Sequence, residues 1–494
     1  MASGEVYRET AEAAWSWVLD QVREDEGPWL PGTVPDEDGA PAPAADRDSL
    51  YAGIAGLAPV LAEIAQYREL NGRERALAAG IVSRLAMASG STTEPSLYDG
   101  LAGYATALRL LASGEEAVPL RRLAELATAD GWKSTLGFEK DSDAPLNDII
   151  GGTAGVVLTA VWAKSEFSEV IAAVGGEALL RAADRTPAGL DWGMAPRSQS
   201  RMPNYSHGTA GTATALAIAG AALDREDFVE AAARGARHLL SLGSSADGGF
   251  VVPHTLPPSS REVEPVTYTW CHGPAGTSHL FTALAHAGVT EVAGLDVGEL
   301  RQRCLTSILT SGLPERLRPG FWDNDGRCCG TAGVGDVLLD AAQDCLDPEP
   351  RQILEQGART MGDALVERAI TDTSGVYWRF LEHRKDPPLL PPGTAWMQGA
   401  SGIAAYLLRL ARFDETGPDA PVVDRPDQWW ALPAHLRTWP AGPLGGTSSP
   451  LISPGLASGG SRAGRRPSTR SSSPSNSDAF RPAAETDNQD QPLF

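Results

Sequence analysis

The sequence predicts an all-α protein, closed into an α/α toroid of seven helix pairs with seven inner and seven outer helices. Three observations carry this expectation. A Gly-x-x-Gly signature recurs seven times, opening at Gly53, Gly100, Gly152, Gly208, Gly273, Gly330 and Gly399. Its spacing runs from 47 residues (Gly53 to Gly100) to 69 (Gly330 to Gly399), the mark of a repeat architecture. Each copy opens an apolar run of helical character with small residues in its first turn, as in GLAGYATALRLLA and GASGIAAYLLRLARF, where another backbone can approach closely. The first and last runs are as apolar as the middle ones, whereas an open solenoid needs polar capping repeats at its ends. A closed ring follows.

Each apolar run is preceded by a charge-rich amphipathic stretch, near residues 9–24, 73–89, 117–129, 167–184, 225–242, 297–311 and 351–369. These stretches are the expected outer helices, and the Gly-x-x-Gly runs the inner wall. Segments 25–48, 186–206, 244–270 and 384–394 are rich in Pro, Gly and Asp, as loops running toward the mouth of one central cavity would be. Residues 1–440 are thus expected to form a single toroid domain. The remaining 54 residues, 441–494, hold 25 Gly, Pro or Ser and no helical period, which predicts a disordered tail.

Composition narrows the function. Lys and Arg number 41 against 63 Asp and Glu, a net charge of -22, and an acidic body repels phosphate backbones, so nucleic acid is not an expected partner. No run approaches the roughly 18 to 20 apolar residues that span a bilayer, and the acidic N-terminus is unlike a signal peptide. The expected location is the cytoplasm. The five cysteines, Cys271, Cys304, Cys328, Cys329 and Cys345, crowd into one stretch of a long chain, a poor match to a secreted disulfide framework.

The residues just upstream of each signature are the informative ones, because a ring of repeats gathers them at one end. Three adjacent copies carry chemistry there: Ser206-His207-Gly208, Trp270-Cys271-His272-Gly273 and Arg327-Cys328-Cys329-Gly330. Cys271 and Cys328 each stand two residues before their glycine, so the register brings both thiols, and Cys329, to one place. Three thiolates about one point make a Zn2+ site whose fourth position stays open for water or substrate. Buried packing is the plain alternative for these thiols, and the expected role of Cys304 and Cys345. His207 sits one repeat ahead of Cys271. Asp148 precedes the inner helix of the repeat before that, either capping a helix or orienting His207. For His272 three roles stand open: fourth ligand, hydrogen-bond donor to a ligand, or substrate contact.

At these residues the chain resembles the lanthionine synthetase C-like family, the cyclases of lanthipeptide biosynthesis and their stand-alone relatives. The resemblance covers roughly residues 9–412 and rests on the seven signatures and the Ser-His-Gly, Trp-Cys-His-Gly and Cys-Cys-Gly motifs. It implies a toroid with zinc in its cavity, held by Cys271 and Cys328. The third ligand is commonly His, but here it is Cys329, as in a three-cysteine subset of the family. A second departure is Thr267, four residues before the first zinc cysteine, where characterised cyclases carry Arg; Arg197, Arg201, Arg261 and Arg327 are candidate substitutes.

The implied reaction is zinc-dependent Michael addition of a peptide cysteine thiol to dehydroalanine or dehydrobutyrine, closing a thioether ring, with His207, Asp148 and His272 as catalytic residues. The repeats leave no room for a dehydratase, kinase or lyase domain among them, so the expected partners are a dehydrated precursor peptide and a separate dehydratase. Addition of glutathione or another small thiol to dehydroamino acids is one alternative. A non-catalytic peptide-binding scaffold is another. A toroidal glycosidase would need two carboxylates and has no use for the cysteine register.

Overall fold

Both glycines of each signature are explained by one close approach. In this computed structural model, which describes residues 2–34, 47–136, 144–258, 264–315, 324–380 and 389–438, the chain upstream of every inner helix folds back onto the helix's first turn. A Cβ on the second glycine would then meet the carbonyl oxygen six residues earlier. It would lie 1.8 Å from that of Trp270 at Gly276, and 2.0 Å from that of Tyr205 at Gly211. No side chain fits at such distances, so only glycine lets the turn close against its helix.

The inner helices are α2 (Leu57–Ala65), α4 (Leu101–Leu110), α6 (Thr153–Ala163), α8 (Thr209–Leu223), α10 (Pro274–His286), α12 (Thr331–Asp344) and α14 (Ala400–Thr416). The outer ones are α1 (Gly4–Gln21), α3 (Gly72–Ser89), α5 (Ala117–Leu126), α7 (Ser168–Ala182), α9 (Glu226–Leu242), α11 (Val297–Leu309) and α13 (Pro348–Arg368). Every residue of α6 is buried, whereas α9 buries only the stripe Phe228, Ala231, Ala232, Gly235, Ala236, His238 and Leu239. The two kinds of helix therefore differ as their sequences require: one has neighbours on all sides, the other faces water.

Inner helices pack in chain order from α2 to α14, and α14 packs back on α2, which closes the ring. From α4 onward each inner helix packs most extensively on the outer helix that follows it, and α14, the last, finds its outer partner in α1, the first. The physical reason is connection length: only Asp224 and Arg225 separate α8 from α9, while the long connections run from outer to inner helix. Those long connections meet at one end of the ring. Arg201 and Leu256 exchange backbone hydrogen bonds of 2.8 and 2.7 Å, and the Val34 amide donates to the Pro392 carbonyl at 2.8 Å. Among the described residues, strands occur only as short two-stranded pairs and no helix is long and apolar enough to cross a membrane.

One feature lies outside the repeat pattern. After α14 the chain turns back into the ring, and Val422–Trp430 occupies its interior. The Trp162 indole on α6 donates to Asp424 at 3.2 Å, the Trp430 indole donates to the His279 carbonyl on α10 at 3.2 Å, and Arg425 donates to Asp336 on α12 at 2.9 Å. The expected central cavity is thus filled on this side by the chain's own continuation. The expected disordered tail, 441–494, lies outside the described residues.

The close approach at the signature predicts an asymmetry between glycines. Gly211→Ala is expected to cost about 1–3 kcal/mol or more by forcing the turn off its helix, whereas Gly72→Ala, at a position with nothing within 4 Å of the new methyl, leaves the urea unfolding midpoint unchanged or raised.

Candidate metal centre

The turns that precede the inner helices are tied to one another around the ring by their backbones. Two residues before the first glycine stand Tyr51, Tyr98, Ser206, Cys271, Cys328 and Met397 in six of the seven copies, and Ile150 in the third. Their amides donate in series: Ser206 to the Cys271 carbonyl at 3.0 Å, Cys271 to Cys328 at 3.2 Å, Cys328 to Met397 at 3.0 Å, Met397 to Tyr51 at 3.2 Å and Tyr51 to Tyr98 at 2.9 Å. Cys271 and Cys328, 57 positions apart in sequence, therefore occupy adjacent places in one hydrogen-bonded belt.

The Sγ atoms of Cys271, Cys328 and Cys329 all lie within 4.8 Å of one another. Cys271 and Cys329 are 3.2 Å apart, and Cys328 and Cys329 are 3.4 Å apart. Cys271 and Cys328 are buried, and Cys329 is partly exposed. Sulfurs about 2.3 Å from a tetrahedral zinc stand roughly 3.8 Å from each other, so the donor set fits that ion with little rearrangement. Thr269 Oγ1 lies 3.2 Å from Cys271, and the Gln398 amide reaches toward Cys329 at 4.0 Å. Burial raises the Cys271 thiol, but hydrogen bonds from Cys328, Cys329 and Thr269 outweigh it and hold this thiol well below the ordinary value. Hydrogen bonding to Cys271 pushes Cys328 and Cys329 well up. The cluster thus stabilises one thiolate before any metal is considered. Cys304 lies in the buried face of α11 and Cys345 at the end of α12, both outside the cluster.

Beside the thiols stand the histidines. His207 Nδ1 is 2.5 Å from Asp148 Oδ2, with both side chains buried, and the other carboxylate oxygen accepts the Gly151 amide at 3.0 Å. Asp148 thus ties down its own turn and contacts His207; it does not cap α6, whose N-cap is Gly152 without a side-chain hydrogen bond. The His207 ring is 5.6 Å from that of His272, the residue after Cys271. A third histidine joins them: the His254 ring is 4.1 Å from His272. Sequence reasoning missed His254 because it stands 19 positions before Gly273, outside the register, on the long connection from α9 to α10. The one available signal was its place in a loop directed at the cavity mouth.

Of the four candidate substitutes for the missing arginine, Arg201 and Arg327 are otherwise engaged. Thr267 donates to the His272 carbonyl at 3.1 Å, Arg201 pairs with Asp184 at 2.6 Å, and Arg327 pairs with buried Asp336 at 2.5 Å. Arg197 has a left-handed backbone, φ 65°, on the connection from α7 to α8, and Arg261 lies outside the described residues.

With this geometry in place, the comparisons with known proteins are decisive for the family. The model of the lanthionine synthetase C-like proteins matches residues 44–420. The chain belongs to that family. Among solved structures, nisin cyclase shares the fold with a TM-score of 0.50 and 14% identity, over 75% of this chain and 94% of that one. The α-1,6-mannanase of Salegentibacter sp. HEL1_6 matches with a TM-score of 0.41 and 13% identity, over 82% of this chain and 98% of that one. No curated protein sequence matches.

For a lanthionine synthetase C-like chain with this thiol cluster, elemental analysis of the purified protein is expected to find about one zinc per chain. Cys271→Ala, Cys328→Ala and Cys329→Ala should each lower that content, whereas Cys304→Ala, outside the cluster, should keep it.

Proposed function

We propose that this protein is a zinc-dependent cyclase that adds peptide cysteine thiols to dehydroalanine or dehydrobutyrine and so closes lanthionine and methyllanthionine rings. The observation that carries the proposal is the cluster of three thiols beside a buried His–Asp pair, in a chain of the lanthionine synthetase C-like family.

Cys271, Cys328 and Cys329 would hold the metal. Zinc, when bound, supplies one thing: it lowers the pKa of a substrate thiol, otherwise about 8.5, so that the thiolate is present at neutral pH. Three cysteinates around a divalent ion make a site of net charge -1, which favours a strongly nucleophilic thiolate over Lewis-acid action. The remaining work falls to the chain. His207, with Nδ1 held by Asp148, exchanges protons through Nε2. It takes up the proton released by the thiol, and it returns a proton to the α-carbon after the carbon–sulfur bond has formed at the β-carbon. Proton inventory and electron pairs then balance without an external oxidant or reductant. Asp148 keeps the imidazole in one tautomer and steadies its charged form. His272 and His254 line the approach to the thiols.

The substrate is a precursor peptide already dehydrated by a separate enzyme, and free thiols at the centre suit a reducing, cytoplasmic setting. Thr267 in place of arginine keeps a second reading in view, in which a small thiol such as glutathione is the nucleophile.

The test is incubation of the zinc-loaded protein with a dehydrated peptide, with and without its cysteine, in the presence of glutathione. Cyclisation is read as loss of alkylatable peptide thiol at constant mass, and small-thiol transfer as a glutathione adduct. His207→Ala is expected to keep its zinc and lose about 10²- to 10⁴-fold in rate, the usual worth of a general acid–base group. A zinc-loaded wild type that yields neither product leaves the scaffold reading in place of the cyclase.

A further inference from the structure

The residues directly before Cys328 and Cys271 each reach the segment that fills the ring through intermediate side chains. Arg327, directly before Cys328, donates its backbone amide to the Met397 carbonyl at 2.8 Å and lays its guanidinium over the Trp396 ring at 4.3 Å. It also donates to Asp336 Oδ2 at 2.5 Å. The same oxygen accepts Arg425 at 2.9 Å, and the other oxygen accepts Arg409 at 2.7 Å. Trp270, directly before Cys271, packs edge-on against Tyr98 and Tyr205 with ring centroids 5.9 and 5.4 Å away. Both tyrosine hydroxyls donate to Asp427, at 3.4 Å to its carboxylate and 3.0 Å to its carbonyl. Arg425 and Asp427 thus support the two metal-bearing turns from one short stretch, two residues apart.

We infer that Val422–Trp430 is the floor of the metal centre, and that Arg425 is a positioning residue that holds the Cys328–Cys329 turn through Asp336 and Arg327. The inference rests on the zinc reading proposed above. The stretch lies beyond residues 44–420 that match the family, so this support is read from the chain's own packing.

The charges make the arrangement demanding. Arg327, Arg409 and Arg425 face Asp336, Asp340 and Asp427, a balanced set closed to solvent apart from partly exposed Asp427. Burial works against the Asp336 carboxylate, yet the three arginines hold it well below the usual range. Removing one partner of such a set leaves its opposite number buried and uncompensated. Here the group left short is the one that fixes the residue before Cys328.

The experiment compares full-length wild type, Arg425→Gln, Arg425→Lys and Leu77→Ala. Leu77 is a buried residue of outer helix α3, and its loss of packing gives a destabilised reference without touching the floor. Zinc retention is measured by competition with a chromogenic chelator, and site geometry by the absorption spectrum of the cobalt-substituted protein. Arg425→Gln is expected to weaken zinc retention about tenfold, as loss of groups that orient metal ligands does, and to alter the cobalt spectrum. Arg425→Lys should recover part of both, and Leu77→Ala should match wild type in both despite its lower thermal midpoint. Equal retention in Arg425→Gln and wild type, or an equal loss in Leu77→Ala, would overturn the inference. Should Arg425→Gln not fold, Asp427→Asn carries the test, since it leaves every arginine in place: weakened retention supports the floor, and unchanged retention overturns it. A wild type that holds no zinc removes the metal reading and this inference together, whereas a zinc-holding wild type with unaffected variants removes this inference alone.

Discussion

The approach of one carbonyl oxygen to the second glycine of each Gly-x-x-Gly turn is the constraint on which the other features hang. It presses the upstream turn flat against the first turn of its inner helix, at Gly276 and Gly333 with 1.8 Å between the oxygen and where a Cβ would stand. A turn held there presents its next backbone groups at a fixed height on the ring wall. Adjacent repeats can then hydrogen-bond to one another through the same positions, from Ser206 through Cys271, Cys328, Met397 and Tyr51 to Tyr98. The belt costs no side chain. Its side chains are thereby released to differ from repeat to repeat, and three neighbouring turns carry the thiols and His207.

Below that belt the protein solves a second problem, how to fill the middle of a ring. Seven inner helices bury their apolar faces against each other and against the outer helices, but their lumen-facing positions still need partners. The return of the chain after α14 supplies them with Trp429 and Trp430, both buried, and with the charges of Arg425 and Asp427. Arg425 pairs with Asp427 and with Asp336, the carboxylate that Arg327 and Arg409 also hold. A buried ionic group without its partner is expensive, so this pairing ties the last element of the fold to the turn that carries Cys328 and Cys329. Thiol cluster and lumen are, in this sense, one packed unit.

What was legible in sequence follows from locality. The seven signatures, the helical period of the runs after them and the cysteine register are properties of short stretches, and short stretches are governed by backbone sterics and side-chain alternation. His207 with Asp148 was legible because both stand near a signature. His254 was not, because a loop position has no period to betray it and only the fold brings it 4.1 Å from His272. The stretch from Val422 to Trp430 was equally silent: it carries no repeat, and its partners Trp162, Asp336 and His279 lie on three different inner helices.

By itself, then, the sequence determined the number of repeats, the inner or outer place of each helix and the two thiols that share a register, with Cys329 beside them, since each depends on glycine sterics or amphipathic period within a few turns. The tertiary structure alone decided that α1 pairs with α14, that Val422–Trp430 floors the lumen, that Arg327 is spent on Asp336 and that His254 joins the histidines. These are contacts between residues tens to hundreds of positions apart, and which partner wins is settled by the closing of the ring, where all buried charges and faces must be satisfied at once.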